Sequence, residues 1–215
     1  MTVRLPLFPL GTVLFPRVLL PLHVFEERYR HLVRDLVAAP EDEQKFGVVA
    51  IREGREVGSD GVQALHAVGC VARLRRVEPY ADGRFDIVTT GAQRFRLVAV
   101  DDELPYLRAR VELLGEPAGD LAGALVASVQ SLFARYRELL GAGSGDLPDD
   151  PSTLSYLVAS AAVLDLADRQ RLLEVQDTAG RLRQELRLLR RETALLRLLP
   201  SLPGVELTRV PAHPN

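Results

Sequence analysis

The stretch "LPLFPLGTVLFPRVLLPLHVFEERYR" (residues 5–30) sets two demands against each other. Its Leu, Val and Phe side chains call for burial. Yet Pro6, Pro9, Pro16 and Pro21 each remove a backbone N–H, which a straight central strand cannot spare. Each proline also pushes the residue before it toward an extended conformation. A buried ribbon that bends repeatedly meets both demands, as a strand does when it turns a corner in a small barrel. The breaks also read as protection of the ribbon's edge, at Pro9 and Pro16, against indiscriminate pairing.

From Phe25 the period changes. Phe25, Tyr29, Leu32, Val33 and Leu36 recur at helical spacing, with Glu26, Glu27, Arg30 and Arg34 on the other face. This predicts an amphipathic helix of about three turns. Glu26 and Glu27 stand in its first turn, where the helix dipole favours anions, and Pro40 closes it.

Strand patterns follow. "FGVVAIRE" (46–53) is apolar and β-branched, and "GSDG" (58–61) is turn material. "VGCVARLRRVEPY" (68–80), "ADGRFDIVTTG" (81–91), "AQRFRLVAV" (92–100) and "PYLRARVELL" (105–114) read as further short strands. Asp82-Gly83 is a hairpin signal. Such a run predicts an antiparallel barrel or sandwich and not a doubly wound sheet.

After "GEPAGD" (115–120) the period is helical. Leu121, Leu125, Val129, Leu132, Tyr136 and Leu139 form one stripe. "GAGSGDLPDDPS" (141–152) is a loop, with Ser152 or Thr153 able to cap the next helix. Residues 154–164, 168–176 and 177–200 read as three more helices, the first nearly all apolar and so buried. The fold class is therefore α+β. A β-rich subdomain over 1–116 carries one inserted helix, a helical bundle covers 117–200, and 201–215 is a flexible tail.

Composition narrows the function. The chain has 215 residues, 47% hydrophobic, with a formal net charge of −2. A nucleic-acid grip usually shows a basic surplus, so nucleic acid is disfavoured as a partner. Arg73, Arg75, Arg76, Arg94 and Arg96 could still line one sheet face and give an RNA-binding alternative. The competing reading is a solvated face paired with Glu78, Asp82, Asp86 and Glu112. One cysteine, Cys70, excludes an internal disulfide and a tetra-cysteine zinc site, and points to a reducing cytoplasm. The N-terminus lacks a signal-peptide pattern, and no apolar run is long enough to span a membrane.

Catalytic signatures are missing. There is no G-x-x-x-x-G-K-[ST] loop and no G-x-S-x-G elbow. Lys45 is the only lysine, so a Ser–Lys dyad would depend on a residue in a charged loop. His23, His31, His66 and His213 show no helical metal spacing. Cys70 and His66 share strand parity, but no third orienting group accompanies them. The residues thus predict no catalytic, cofactor or metal site. In the last helix Leu182, Leu186, Leu189 and Leu196 fall on heptad spacing beside a second apolar stripe, which marks them as a candidate self-association face for a homodimer.

The opening motif closely resembles the start of the N-terminal substrate-binding domain of Lon proteases. The resemblance runs on through "FGVVAI", "REVGSDGV", "VGCVARLRRVEPYADGRFDIVTTGAQRFRL", "PYLRARVELL" and "DRQRLLEVQDTAGRLRQELRLLRRE". It implies a pseudobarrel related to PUA domains followed by a helical bundle, as in stand-alone Lon-domain proteins without the ATPase and protease modules. It also implies a non-catalytic role, binding unfolded or degron-bearing polypeptides, with a protease or ATPase as a candidate partner. A peptide groove needs exposed apolar side chains rimmed by polar groups. Phe15, Phe25 and Tyr29 near the first bend, and Tyr80 and Tyr106 at strand ends, are the candidates.

Overall fold

A computed structural model describes residues 2–54, 62–101, 104–143 and 145–198. The turn expected at 58–61, His213 and the tail at 201–215 lie outside the described residues. Among the described residues, seven strands and five α-helices succeed one another. They are β1 (Thr2–Leu10), β2 (Leu19–Val24), α1 (Glu27–Ala38), β3 (Lys45–Gly54), β4 (Val62–Leu65), β5 (Val68–Pro79), β6 (Phe85–Asp101), β7 (Arg108–Leu113), α2 (Gly123–Leu139), α3 (Pro151–Ala161), α4 (Leu166–Glu174) and α5 (Thr178–Leu198).

The strand order is β1-β7-β6-β5-β3, and β3 returns to β1 to close a barrel. All ladders are antiparallel except that closing pair, which is parallel. The opening prolines explain the closure. Thr2–Pro6 pair with β7, and Leu7–Leu10 pair with β3. The strand changes partner across Pro6, where a missing N–H suits a break in the ladder.

Pro16 works differently. It stands second in a turn closed by Val18 N–H to the Phe15 carbonyl at 3.3 Å, and Arg17 follows with φ +67°. That is the pattern of a type II turn. Pro9 lies within the parallel ladder opposite Val49. Edge protection by Pro9 and Pro16 is therefore not how these two residues are used; the proline on the outlying strand β2 is Pro21.

The barrel interior holds Leu5, Leu7, Val49, Val71, Phe95, Ala109 and Val111. Phe95 fills space that Gly69 leaves open: a Cβ there would lie 2.5 Å from its ring and 2.4 Å from the Val48 carbonyl oxygen. Outside the barrel, α1 lays Tyr29, Leu32, Val33 and Leu36 onto Phe8, Phe46, Val48 and Ile87. The Tyr29 and Phe8 rings stack at 4.0 Å. β2 extends the sheet by pairing with residues 85–90 of β6.

Of the segments 81–91 and 92–100, read from sequence as two strands, residues 81–84 form the turn and the rest joins into the single strand β6 of 17 residues. It serves three neighbours in turn, and register shifts opposite β5 and β7 let it curve. Asp150, not Ser152 or Thr153, caps α3, accepting from the Thr153 N–H at 2.8 Å with Pro151 in the first turn. The helix accordingly begins before residue 154.

The bundle core gathers Val129, Phe133 and Tyr136 of α2, Leu154 and Val158 of α3, and Leu182 and Leu189 of α5. Leu182 and Leu189 are buried there, with Leu186 and Leu196 packed against the same cluster. The heptad stripe is thus spent inside this chain, and the self-association face expected from it is not a free surface. A further cluster joins Val13, Phe15, Ala50 and Val68 of the barrel side to Tyr156, Leu172, Leu173 and Leu188 of the helices. No helix among the described residues is long and apolar enough to cross a membrane.

Candidate functional site

Of the five aromatic candidates, the structure exposes two. Phe15 is fully buried in the barrel–bundle contact, with its ring 6.3 Å from that of Tyr156. Tyr29 is buried under its stack with Phe8. Tyr106 is buried and donates from its hydroxyl to Asp35 Oδ2 at 2.6 Å, tying the segment before β7 to α1. Burial, and then that carboxylate, push its pKa up to about 12. These three hold the fold together and cannot reach a peptide. Phe25 and Tyr80 remain 50% and 42% exposed.

Phe25 is exposed because α1 begins two residues later, at Glu27. It continues the outward alternation of β2 instead of the inward stripe of the helix. Leu19, Pro21, His23 and Phe25 are all exposed, whereas Val24 is buried and Leu20 and Leu22 pack toward α1. Leu19 alone is 64% exposed. Across the sheet, β6 presents Thr90, Val88 and Asp86 opposite Leu19, Pro21 and His23.

His23 anchors the aromatic end. Its Nδ1 lies 2.6 Å from Asp86 Oδ1, and the Tyr80 hydroxyl donates to Asp86 Oδ2 at 2.5 Å. The Tyr80 hydrogen bond, followed by that of His23, holds the Asp86 carboxyl below the usual carboxylate range. The same Asp86 contact raises Tyr80. The His23 ring sits 6.2 Å from Phe25 and meets Tyr80 edge-on at 6.0 Å. The Arg84 guanidinium lies 5.8 Å from the Tyr80 ring centre. A cavity of about 150 Å³ opens beside this cluster, walled by Phe8, Leu10, Leu22 and Phe25. Chemically this is an apolar and aromatic ridge along one strand, with a polar end that can both donate and accept. Residue type alone singles out neither Leu19 nor His23 for this face. The signal was the period-two run 19, 21, 23, 25, hidden by counting Phe25 with the helix.

The arginine face is not continuous. Arg73, Arg75, Arg76 and Arg96 are exposed, but Arg94 is only 2% exposed. Its guanidinium donates to the carbonyls of Leu173 (2.9 Å), Val175, Gly115 (3.1 Å) and Gln176 (3.1 Å) and pairs with Glu116 at 3.1 Å. Arg181, fully buried, binds the other Glu116 oxygen and lies 4.0 Å from the Tyr156 ring centre. Although burial works against ionisation, hydrogen bonds from Tyr156 and Arg181 leave Glu116 with a lowered pKa.

Cys70 is fully buried and its thiol is pushed up to about 12 by desolvation. Such a thiol supplies no thiolate nucleophile near neutral pH. His66 instead has its Nδ1 3.9 Å from Glu174. Among the described residues no group of three His, Cys, Asp or Glu side chains is arranged to hold a metal ion.

Comparison with known proteins agrees with this architecture. The family model described as the ATP-dependent protease La (LON) substrate-binding domain matches residues 4–191. Among curated relatives, Lon protease 2 of Myxococcus xanthus is 31% identical over 204 residues, covering 90% of this chain and 24% of the relative. Lon protease of Escherichia coli K12 is 30% identical over 209 residues, covering 91% of this chain and 26% of the relative. The chain therefore spans about a quarter of the length of these relatives. Among solved structures, a Lon N-terminal domain protein from Xanthomonas campestris superposes with a TM-score of 0.65 at 27% identity, covering 92% of this chain and 99% of that one. The N-terminal domain of a Mycobacterium avium complex Lon protease shares the fold, with a TM-score of 0.60 over 89% of this chain. Barrel, inserted helix and bundle together make this chain a member of the LON substrate-binding-domain family.

Proposed function

We propose that this chain is a non-catalytic polypeptide-binding module that takes extended, apolar segments of unfolded or degron-bearing proteins along the outer face of β2. The observation that carries the reading is the exposed run Leu19, Pro21, His23 and Phe25 on an outlying strand, completed by Tyr80. An extended client can run alongside such a strand, with alternate side chains against the ridge. Aromatic anchors give large contact area at low entropic cost, and His23, Asp86 and Arg84 offer polar partners at one end. The family's description as substrate-binding supports the same role. In this reading the module acts as an adaptor in protein quality control, delivering clients to a protease or ATPase.

The test is fluorescence anisotropy with labelled twelve-residue peptides tiled from unfolded proteins. Peptides rich in Leu, Phe and Val should bind, and the double variant Phe25→Ala/Tyr80→Ala should weaken binding at least about tenfold, equivalent to about 1.4 kcal/mol. Both residues are exposed, so the variant should keep the thermal midpoint of the parent. Unchanged affinity in the variant, or no binding up to about 1 mM, overturns the reading.

A further inference from the structure

A second cavity, of about 490 Å³, opens at one end of the barrel, and no residue of β2 lines it. Its apolar wall includes Val3 and Leu5 of β1, Val71 of β5, Leu113 of β7 and Leu36 of α1. Four cations stand around it: Arg4, Lys45, Arg73 and Arg108. None of their side chains makes a hydrogen bond or ion pair among the described residues. Elsewhere the chain pairs its arginines readily: Arg84 with Asp82, Arg94 and Arg181 with Glu116, and Arg191 with Asp168.

The register sharpens the anomaly. Lys45 and Arg73 are direct cross-strand partners on β3 and β5. Like charges placed opposite one another weaken a sheet, so this arrangement costs stability that an anion between them would recover. The volume lies in the range of small-ligand sites. Two carboxylates, Asp35 and Glu43, also line the cavity. They leave a modest positive excess and supply acceptors for N–H groups. A phosphate dianion would meet those two carboxylates and waste the apolar wall. A single carboxylate carried on an apolar side chain and an amide backbone uses every feature.

We propose that the barrel mouth binds the C-terminus of a polypeptide, with the terminal carboxylate between Lys45 and Arg73 and an apolar last side chain against Val71 and Leu113. Asp35 and Glu43 then accept from the peptide's amide N–H groups. Specificity follows from the free carboxylate, which an internal segment of a protein lacks. This site is independent of the β2 face.

The experiment measures anisotropy of one fluorescein-labelled hexapeptide ending in Ala-Leu, prepared as the free acid and as the C-terminal amide. The free acid should bind at least about tenfold tighter than the amide. Lys45→Met and Arg73→Met should each erase that preference, while Phe25→Ala/Tyr80→Ala should retain it. That last arm separates failure of this site from failure of the β2 reading. Because Lys45 is the only lysine, acetylation followed by mass spectrometry gives a second readout: the free acid should slow Lys45 modification and the amide should not. Equal binding of acid and amide, a preference that survives both Met variants, or no binding up to about 1 mM overturns the proposal. So does displacement of the acid by equimolar inorganic phosphate, which would assign the site to phosphate.

Discussion

Arg94, on the barrel wall, donates from Nη1 to the main-chain carbonyl of Leu173 at 2.9 Å, joining β6 to the helix α4. The same guanidinium collects the carbonyls at 115, 175 and 176 and one oxygen of Glu116. Arg94→Met should therefore leave several buried acceptors without donors and Glu116 with one cation fewer. Breaking one side of a buried charged network costs about 3–5 kcal/mol. Arg94→Lys should rescue little, since one ammonium cannot reproduce a fork spread over five acceptors. Urea unfolding checks both variants. A loss below about 1 kcal/mol for Arg94→Met would show that the junction is held by the apolar cluster around Phe15 and Leu173 alone.

Glu116 and Glu185 both feel Arg181 but titrate in opposite directions. Glu185 is 1% exposed, and neither carboxyl oxygen has a hydrogen-bond partner. Desolvation raises its pKa well above the ordinary carboxylate value, with Arg181 opposing only in part. The folded state thus holds a proton that the unfolded chain releases near 4.5. Stability should fall as pH rises from there toward the raised folded value, at up to about 1.4 kcal/mol per pH unit. Glu116, lowered in the fold, supplies stability that is already complete above its unfolded pKa and adds no slope in that window. Glu185→Gln should flatten the dependence between about pH 5 and pH 8 and raise stability at the upper end. Parallel urea curves for parent and variant at both pH values would refute this.

Phe95 and Gly69 are cross-strand partners, and the ring stands where a Gly69 side chain would go. Phe95→Ala should cost about 3–5 kcal/mol by opening a cavity at the barrel centre. Gly69→Ala should also destabilise, because its Cβ is caught between the ring and the Val48 carbonyl. Combining the two changes should recover part of the loss, since the vacated ring space accepts the new methyl group. Additive losses in thermal unfolding would contradict this coupling.

How far the sequence discloses these features depends on how local their causes are. Proline geometry is local, so the bent opening ribbon, the inserted helix and the switch to helices past residue 115 were all readable. The join of 85–91 and 92–100 into one strand was not, because Gly91 and Ala92 interrupt the alternation where β6 bends past Phe15. Arg94 looked like its neighbours Arg96 and Arg73. What buries it is a set of carbonyls about eighty positions away, which no window on the strand contains. Phe25 and Tyr29 share a helical spacing, yet the helix start at Glu27 sends one to solvent and the other to the core. Heptad spacing in α5 could not distinguish a partner helix from α2 of the same chain.

The turn at Phe15–Val18 isolates one backbone effect. Arg17 adopts φ +67°, a region that disfavours any residue with a Cβ by about 1–2 kcal/mol. It stays there because its N–H donates to the Gly91 carbonyl at 2.7 Å and its guanidinium reaches Asp150 at 2.5 Å and the Thr153 hydroxyl. That ion pair is exposed on both sides, so its net worth is small. Arg17→Ala loses the side-chain contacts and keeps the strained φ. Arg17→Gly loses the same contacts and relieves the strain. Arg17→Gly should therefore be more stable than Arg17→Ala by about 1 kcal/mol, and close to the parent. Gly91→Ala, by contrast, would place a Cβ 2.1 Å from the Phe15 carbonyl oxygen, a main-chain atom that cannot move without displacing the turn. It should cost more than either change at Arg17. Chemical denaturation of the three variants tests the ranking, and equal stability of Arg17→Gly and Arg17→Ala would mean that the backbone at position 17 carries no strain.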